Sequence, residues 1–488
     1  MRQSIPSSQR RFDLPSIKDV SLNYNCRDEM IPILRALQHI YCQPELRDRL
    51  LQLVQRDVNA HTRSDRGRPG LSYWQVLVLA AVRLGGNLDY DKLQDLAENH
   101  RNLRALLGIG SWDDRTSLDW RRIRENVCLL RPETITAISE AIVAEGHRLA
   151  PEAVQKVRAD AFVVETCIHY PTEASLLSDG LRKILERAVP MAEGRGLAGW
   201  RQHAHLQKRG KRLVRRIGRV AAGRSSHREK RLKALYEKLL RLVDGVVRRA
   251  RNLLAELGFP APSEAEDLFG PPSLSAFIVR TERVARTARR RVLQGERVPN
   301  SEKLFSLFEP HTQLYRRGKA GEPVQFGRLV LLYEDRAGFV VQHAVLGREE
   351  TERDVVVAET RRMQQTLGGR VERLSLDRGF HSPRIQRELA QIVPTVCLPK
   401  LGARQEAEQR ASASEEFLEG VQSHPGVESA IGALQSGNGL ARCRDRQELG
   451  LERYVALAVL GRNLQTLGRL LIAREDPLSE AAYSRRAA

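Results

Sequence analysis

Val157-Arg158-Ala159-Asp160-Ala161-Phe162-Val163-Val164 is the stretch on which the reading of the fold turns. Its β-branched and apolar content reads as a strand. Before it, from about Asp28 onward, the chain steps at helical spacing. Trp74, Leu77, Val78, Ala81 and Val82 fall on one face, and Gly85-Gly86 closes that helix. Leu93, Leu96, Leu103, Leu106 and Leu107 continue the pattern, and Asp113–Ser117 caps a further helix over Leu118–Val127. Asp160 stands out inside the strand because an unpartnered buried carboxylate is costly.

Working outward toward the C-terminus, the chain turns helical and basic after Pro171. Leu232, Leu235, Leu239, Leu242 and Val246 step by three and four, giving one apolar stripe that is either core or a dimer seam. Phe259-Pro260-Ala261-Pro262 and Gly270-Pro271-Pro272 bracket a break. Strand patterns resume at Arg328–Glu334 and Phe339–Leu346, joined by a hairpin turn at Asp335-Arg336-Ala337-Gly338. A helix over 353–366, a strand over Val371–Asp377, a helix opened by Ser382-Pro383, a short strand at Thr395–Leu398 and helices over 427–436 and 451–473 follow. This is a mixed α/β sheet interrupted by one large helical insert and preceded by an all-helical domain. The expected organisation is a polar arm over 1–30, a helical domain over 31–150, the start of the sheet over 151–180, a basic helical insertion over 181–310, the remainder of the sheet and closing helices over 311–475, and a tail over 476–488.

The 488 residues are enough for several domains, and the formal charge is +20, from 80 Lys+Arg against 60 Asp+Glu. The excess is local: residues 201–251 hold 18 Lys+Arg and 3 Asp+Glu, a net of +15. Such a concentration points to a polyanionic partner rather than a small acidic substrate. Lys208, Arg209, Lys211, Arg212, Arg215, Arg216 and Arg219, with Arg289, Arg290 and Arg291 further on, are the candidate phosphate contacts, sequence-independent and salt-sensitive. A merely solvated helix face is the bland alternative. Six cysteines without CxxC spacing speak against a zinc site and fit a reduced compartment. The N-terminus lacks the apolar run of a secretory signal. The longest strongly apolar run, about Val76–Leu84, is interrupted by Arg83, so no segment is expected to span a bilayer.

Three carboxylates stand out by position: Asp160 within a strand, Asp377 at a strand-to-helix turn, and Glu428 near a helix start after Pro425-Gly426. Carboxylates without a His or Cys partner suit Mg²⁺ or Mn²⁺, and two such ions about 3.5–4 Å apart can activate a water or a 3′-hydroxyl. Asp377 can instead cap a turn, and Glu428 can favour a helix N-terminus electrostatically. Glu165, Glu334, Asp335 and Asp354 are rival carboxylates.

The run Asp160–Gly180, with Glu165, His169, Tyr170, Pro171 and Asp179, resembles the first-aspartate region of bacterial insertion-sequence DDE transposases. Phe308-Glu309-Pro310-His311-Thr312, Gly318-Lys319-Ala320, Phe326-Gly327, Leu376-Asp377-Arg378-Gly379-Phe380-His381-Ser382, Gly426-Val427-Glu428, Gly439–Arg444 and Asn463-Leu464 continue that resemblance in order. It implies an RNase H-like core, a two-ion Mg²⁺ (or Mn²⁺) site on Asp160, Asp377 and Glu428, and cleavage at element ends followed by strand transfer into target DNA. It further implies double-stranded DNA as partner, a homodimer on DNA, no membrane, and a cytoplasmic, nucleoid-associated location in a bacterium. Many relatives place Lys or Arg seven residues after the glutamate, where this chain has Gln435. A metal-dependent nuclease on the same core and a decayed, non-catalytic DNA-binding protein are the alternatives. In the N-terminal domain, Thr116-Ser117 followed by Trp120, Arg121, Arg122 and Arg124 is a candidate recognition helix, and a helical domain that only packs or dimerises is the other reading.

Overall fold

The computed structural model describes residues 2–6, 11–61, 70–113, 118–263, 272–316, 324–402, 405, 409 and 413–475. Thr116-Ser117, Gly318-Lys319-Ala320 and the tail over 476–488 lie outside the described residues. Seven helices come first: α1 Ile31–Cys42, α2 Pro44–His61, α3 Tyr73–Gly85, α4 Tyr90–Asn99, α5 Arg101–Leu106, α6 Trp120–Cys128 and α7 Pro132–Leu149. Strand β1, Lys156–Thr166, contains the deciding stretch. Helices α8 Glu173–Glu193, α9 His203–Ala222, α10 Arg228–Glu256 and α11 Leu274–Ala288 follow it. Then come β2 Gln313–Tyr315, β3 Gln325–Asp335, β4 Val340–Val345, α12 Glu352–Thr366, β5 Arg373–Leu376, α13 Pro383–Ala390, β6 Thr395–Cys397, α14 Glu415–Ser423, α15 Gly426–Ser436, β7 Arg442–Cys443 and α16 Glu448–Glu475.

The fold is mixed α/β. Seven strands form one sheet in the order β2-β3-β1-β5-β6, with β4 also on β3 and β7 also on β1. The β3–β4 pair is antiparallel, closed by a turn at Asp335–Gly338 in which Gly338 takes φ 85°. The β1–β5 and β5–β6 pairs are parallel. The Ser382 side chain accepts from the Ile385 N–H and Pro383 occupies the first helical turn, so the local sequence alone specifies how α13 starts.

The chain divides into two compact units. The first takes the residues up to Glu165, Leu329–Asp445 and the chain from Leu449 onward; the second takes Thr166–Arg328 with Arg446–Glu448. The segment expected as a helical insertion, 181–310, falls within the second unit. That unit has its own apolar core, where Leu177, Leu181, Ile184, Leu239, Val243 and Ile278 are buried together. The leucine stripe of α10 belongs to it: Leu235, Leu239, Leu242 and Val246 are buried and Leu232 packs against them. The stripe is therefore core within this unit.

In the first unit α16 is the central helix. It is also long and apolar enough to cross a bilayer, with a mean hydropathy of 1.2, contrary to the expectation that no segment would be. Most of that window, 83%, is buried inside the fold. Neither Gly461 nor Gly468 has room for a Cβ, because α16 crosses the backbone at Gly85 and at Pro32 there. Arg83, which breaks the apolar run in the sequence, is itself buried. Its guanidinium donates to both carboxylate oxygens of Asp445 at 2.5 and 3.0 Å and lies 4.0 Å from the Tyr90 ring centroid. A buried arginine persists here because its charge is paired, and removing one partner of such a pair costs about 3–5 kcal/mol.

Candidate active site

Register decides where the carboxylates stand. In the parallel β1–β5 pair, Lys156 aligns with Arg373, Arg158 with Ser375 and Ala159 with Leu376. One step further, Asp160 is level with Asp377, which directly follows β5. Adjacent strands run about 4.8 Å apart, and side chains alternate faces along each. Asp160 and Asp377 therefore share the face that carries Lys156, Arg158, Arg373 and Ser375.

Helix α14 covers that face. Lys156 and Arg373 both reach Glu419, at 2.9 Å for the lysine and 2.8 and 2.9 Å for the arginine. The Arg373 hydrogen bonds, with that of Lys156, hold the Glu419 carboxyl down at about 2. Ser375 Oγ donates to the Gly420 carbonyl at 2.9 Å, and a Cβ on Gly420 would run into Cys397. The chain thus advances over the sheet from Glu419 to Gly420 and Ser423, in the direction that leads along β1 from Lys156 to Asp160. At Gly426 it begins α15, and Glu428 lies in the first turn.

Asp377 and Glu428 are exposed and Asp160 is half-buried, less enclosed than its apolar strand suggests. Asp160 Oδ1 accepts from the Ala161 N–H at 2.7 Å, and Asp377 Oδ1 from the Arg378 N–H at 2.7 Å. His424 sits at the corner between α14 and α15. Burial lowers its pKa, while the charges of Asp377 and Glu428 oppose that shift, which places both carboxylates in its neighbourhood. Its Nδ1 is buried without a hydrogen-bond partner.

The rival carboxylates have structural work instead. Glu165 pairs with Arg442 at 3.0 Å. Glu334 pairs with Arg158 at 2.6 Å; burial raises its pKa against the pull of that guanidinium. Asp335 accepts from the Phe339 N–H and lies 2.7 Å from His147 Nε2. Asp354 caps α12 through Thr351.

No family model, curated protein or solved structure matches this chain. The site is therefore read from its own chemistry. Three carboxylates are the hard-oxygen donor set that Mg²⁺ and Mn²⁺ require, and the backbone sets two of them side by side. Among the described residues, however, no three His, Cys, Asp or Glu side chains are drawn together closely enough to hold an ion. Donor type and backbone placement fit a divalent cation; a closed cluster is not formed.

The basic residues of the second unit separate into two groups. In α9, Leu213 and Ile217 face the core of the unit, while Lys208, Arg209, Lys211, Arg212, Arg215, Arg216 and Arg219 are exposed. At 100° per residue these seven fan over roughly 160° of the helix surface. None of them forms an ion pair among the described residues. Arg289, Arg290 and Arg291 lie in a π-type turn after α11 and are engaged. Arg289 pairs with Asp244, Arg290 with Glu296 and Glu302, and Arg291 with Glu173. In the first unit, Arg121, Arg122 and Arg124 of α6 are exposed, and Arg121 lies 4.7 Å from the Trp120 ring centroid.

Sequence reasoning missed Arg158, Ser375, His424 and Glu419 as parts of the site. A signal existed for Arg158: a second charged residue two positions before Asp160 in an apolar strand must share its face. The second unit also holds a cleft of about 520 Å³ in which Tyr170, Phe305 and Phe326 meet Lys303 and Arg316. Tyr170 and Phe305 lie 5.6 and 5.5 Å from Phe326, centroid to centroid. Only Tyr170 and Phe326 of these figured in a sequence motif.

Proposed function

We propose that the chain is a DDE-type DNA transposase with an RNase H-like core, cutting at the ends of an insertion sequence and joining the freed 3′-hydroxyl to target DNA. The observation that carries the reading is the register that sets Asp160, inside β1, level with Asp377, just past the end of the parallel strand β5, with Glu428 in the first turn of the helix that follows α14. The sheet supports it too: an antiparallel hairpin, then a helix and two parallel strands, is the mix an RNase H-like core requires.

Asp160, Asp377 and Glu428 would hold Mg²⁺ or Mn²⁺, which supplies activation of a water or 3′-hydroxyl and neutralises charge on the scissile phosphate. The chain's own contribution is binding and orientation. The exposed cations of α9 supply a phosphate-binding face for double-stranded DNA, acting without sequence preference. Sequence-specific contacts to the element ends would come from elsewhere, and α6 with Arg121, Arg122 and Arg124 is the element proposed for them. A homodimer on DNA follows from the need to bring two ends together.

The test is a cleavage and strand-transfer assay on linear DNA carrying the element ends, with Mg²⁺, for wild type and Asp377→Ala. The expected outcome is metal-dependent nicking at the ends that falls by about 10²–10³-fold or more in the variant, while DNA binding persists. Cutting that never leads to joining would move the reading to a nuclease. Salt-sensitive binding with no cutting by wild type would leave a non-catalytic DNA-binding protein.

A further inference from the structure

Arg158, on β1, reaches both the carboxylate of Glu334 on β3 and the corner leading into α15. Its Nε and Nη2 both donate to Glu334 Oε2, at 2.8 and 2.6 Å. Its Nη1 donates to the carbonyl of Ser423 at 3.2 Å. Glu334 is buried to 2% exposure, so the guanidinium is anchored from below by a charge that has no other route to water. From above it meets Gly426: a Cβ built there would overlap Nη1 and crowd Cζ and Nη2. Gly426 has no left-handed backbone conformation that would call for glycine. The position is small because the guanidinium occupies the space a side chain would need.

The two ends of this clasp are the ends of the site. Arg158 is two residues before Asp160 on the same face, and Gly426 is two residues before Glu428. We propose that Arg158 is the positioning residue of the carboxylate site, clasping the start of α15 to β1 so that Glu428 is held toward Asp160 and Asp377. The role rests on the functional reading above for its purpose, though the clasp itself is a matter of geometry. Lysine cannot replace it, since one ammonium group lacks the planar fork that serves Glu334 and Ser423 together.

The experiment uses the full chain with two variants that attack the clasp from opposite sides. Arg158→Lys keeps a cation for Glu334 and gives up the reach to Ser423; Gly426→Ala leaves the Arg158–Glu334 pair intact and pushes the helix start away. Amide hydrogen exchange over 423–432, Mn²⁺ affinity by spin-resonance titration, and single-turnover cleavage are read for each, with DNA binding as the control. The expected result is faster exchange confined to 423–432, Mn²⁺ affinity weakened about 10–100-fold, the range for partners that orient ligands, cleavage lowered in step, and DNA affinity unchanged. Unaltered exchange in both variants overturns the clasp. Faster exchange with wild-type Mn²⁺ affinity and cleavage overturns the positioning role. Wild-type protein that neither binds Mn²⁺ nor cuts sinks the functional reading instead, and hydrogen exchange alone then decides whether the clasp exists.

Discussion

Helix α9 and the turn at Arg289–Leu293 are alike in one respect: both are dense in arginine. The fold gives them opposite fates. Along α9, apolar residues occupy a single face, and no acidic residue occurs anywhere between His203 and Ala222. Its cations can only point to solvent. The turn instead emerges between segments that bring Glu173, Asp244, Glu296 and Glu302 within reach, and each arginine is taken up. A third basic group of the same unit, His311, is buried with neither ring nitrogen hydrogen-bonded, and burial lowers its pKa to about 4. Charge that a sequence counts as one quantity is therefore divided three ways: free, paired and suppressed. Only the free part is available to a polyanion without first breaking something.

The largest effect expected from this division is on DNA binding. Replacing Lys208, Lys211, Arg212 and Arg215 together by Gln removes four free cations from exposed positions, where the fold has nothing to lose. Each phosphate contact adds about 0.9 to the slope of log affinity against log salt, so the slope should fall by about 3–4, and affinity near physiological salt by up to roughly 10²–10³-fold. Fluorescence anisotropy of duplex DNA across a salt series measures both. An unchanged slope would show that α9 is a solvated face and nothing more.

The suppressed cation gives the next effect, on stability. His311 binds a proton readily in the unfolded chain, near pH 6.5, and in the folded chain only near pH 4. Between those values the unfolded state holds the extra proton. Its contribution to stability is therefore complete above about pH 6.5 and is lost progressively as pH falls toward 4, by on the order of 3 kcal/mol. His311→Leu removes this titration. The wild-type urea midpoint should fall relative to that of His311→Leu as pH is lowered over that window, whatever their difference at pH 7.5. Parallel curves would mean that His311 is protonated in the fold.

Much of the frame was legible in the sequence because it is written locally. The turn Asp335–Gly338, the Ser382-Pro383 helix start and the leucine stripe of α10 each depend on residues within a few positions of one another. Asp160, as a carboxylate inside a strand pattern, and Asp377, as one at a strand end, were legible for the same reason. What was not legible is pairing across distance. Nothing near Arg291 announces Glu173, and nothing near Arg158 announces Glu334 or Gly426, which lie on separate elements far along the chain. The expected bilayer test failed for a related reason: α16 is apolar because it is the central helix of its unit, and only its neighbours Gly85 and Pro32 reveal that.

The smallest expected effect is the sharpest test of the comparison. Replacing Arg289, Arg290 and Arg291 by Gln removes three positive charges, nearly as many as the α9 variant removes. If charge count governed DNA binding, the two variants would differ little. If availability governs it, the turn variant should bind duplex DNA within about threefold of wild type and keep the salt slope to within one, because these cations are already neutralised by carboxylates. Its stability should change little as well, since exposed ion pairs contribute about 0–1 kcal/mol each. The released carboxylates of Asp244, Glu296 and Glu302 are solvated at the surface, Glu173 at 15% exposure is the one whose release costs more, and the unit's core under α10 and α11 is untouched. A loss of binding equal to that of the α9 variant would mean that DNA outcompetes these carboxylates, and the distinction between free and paired arginines in this unit would have to be given up.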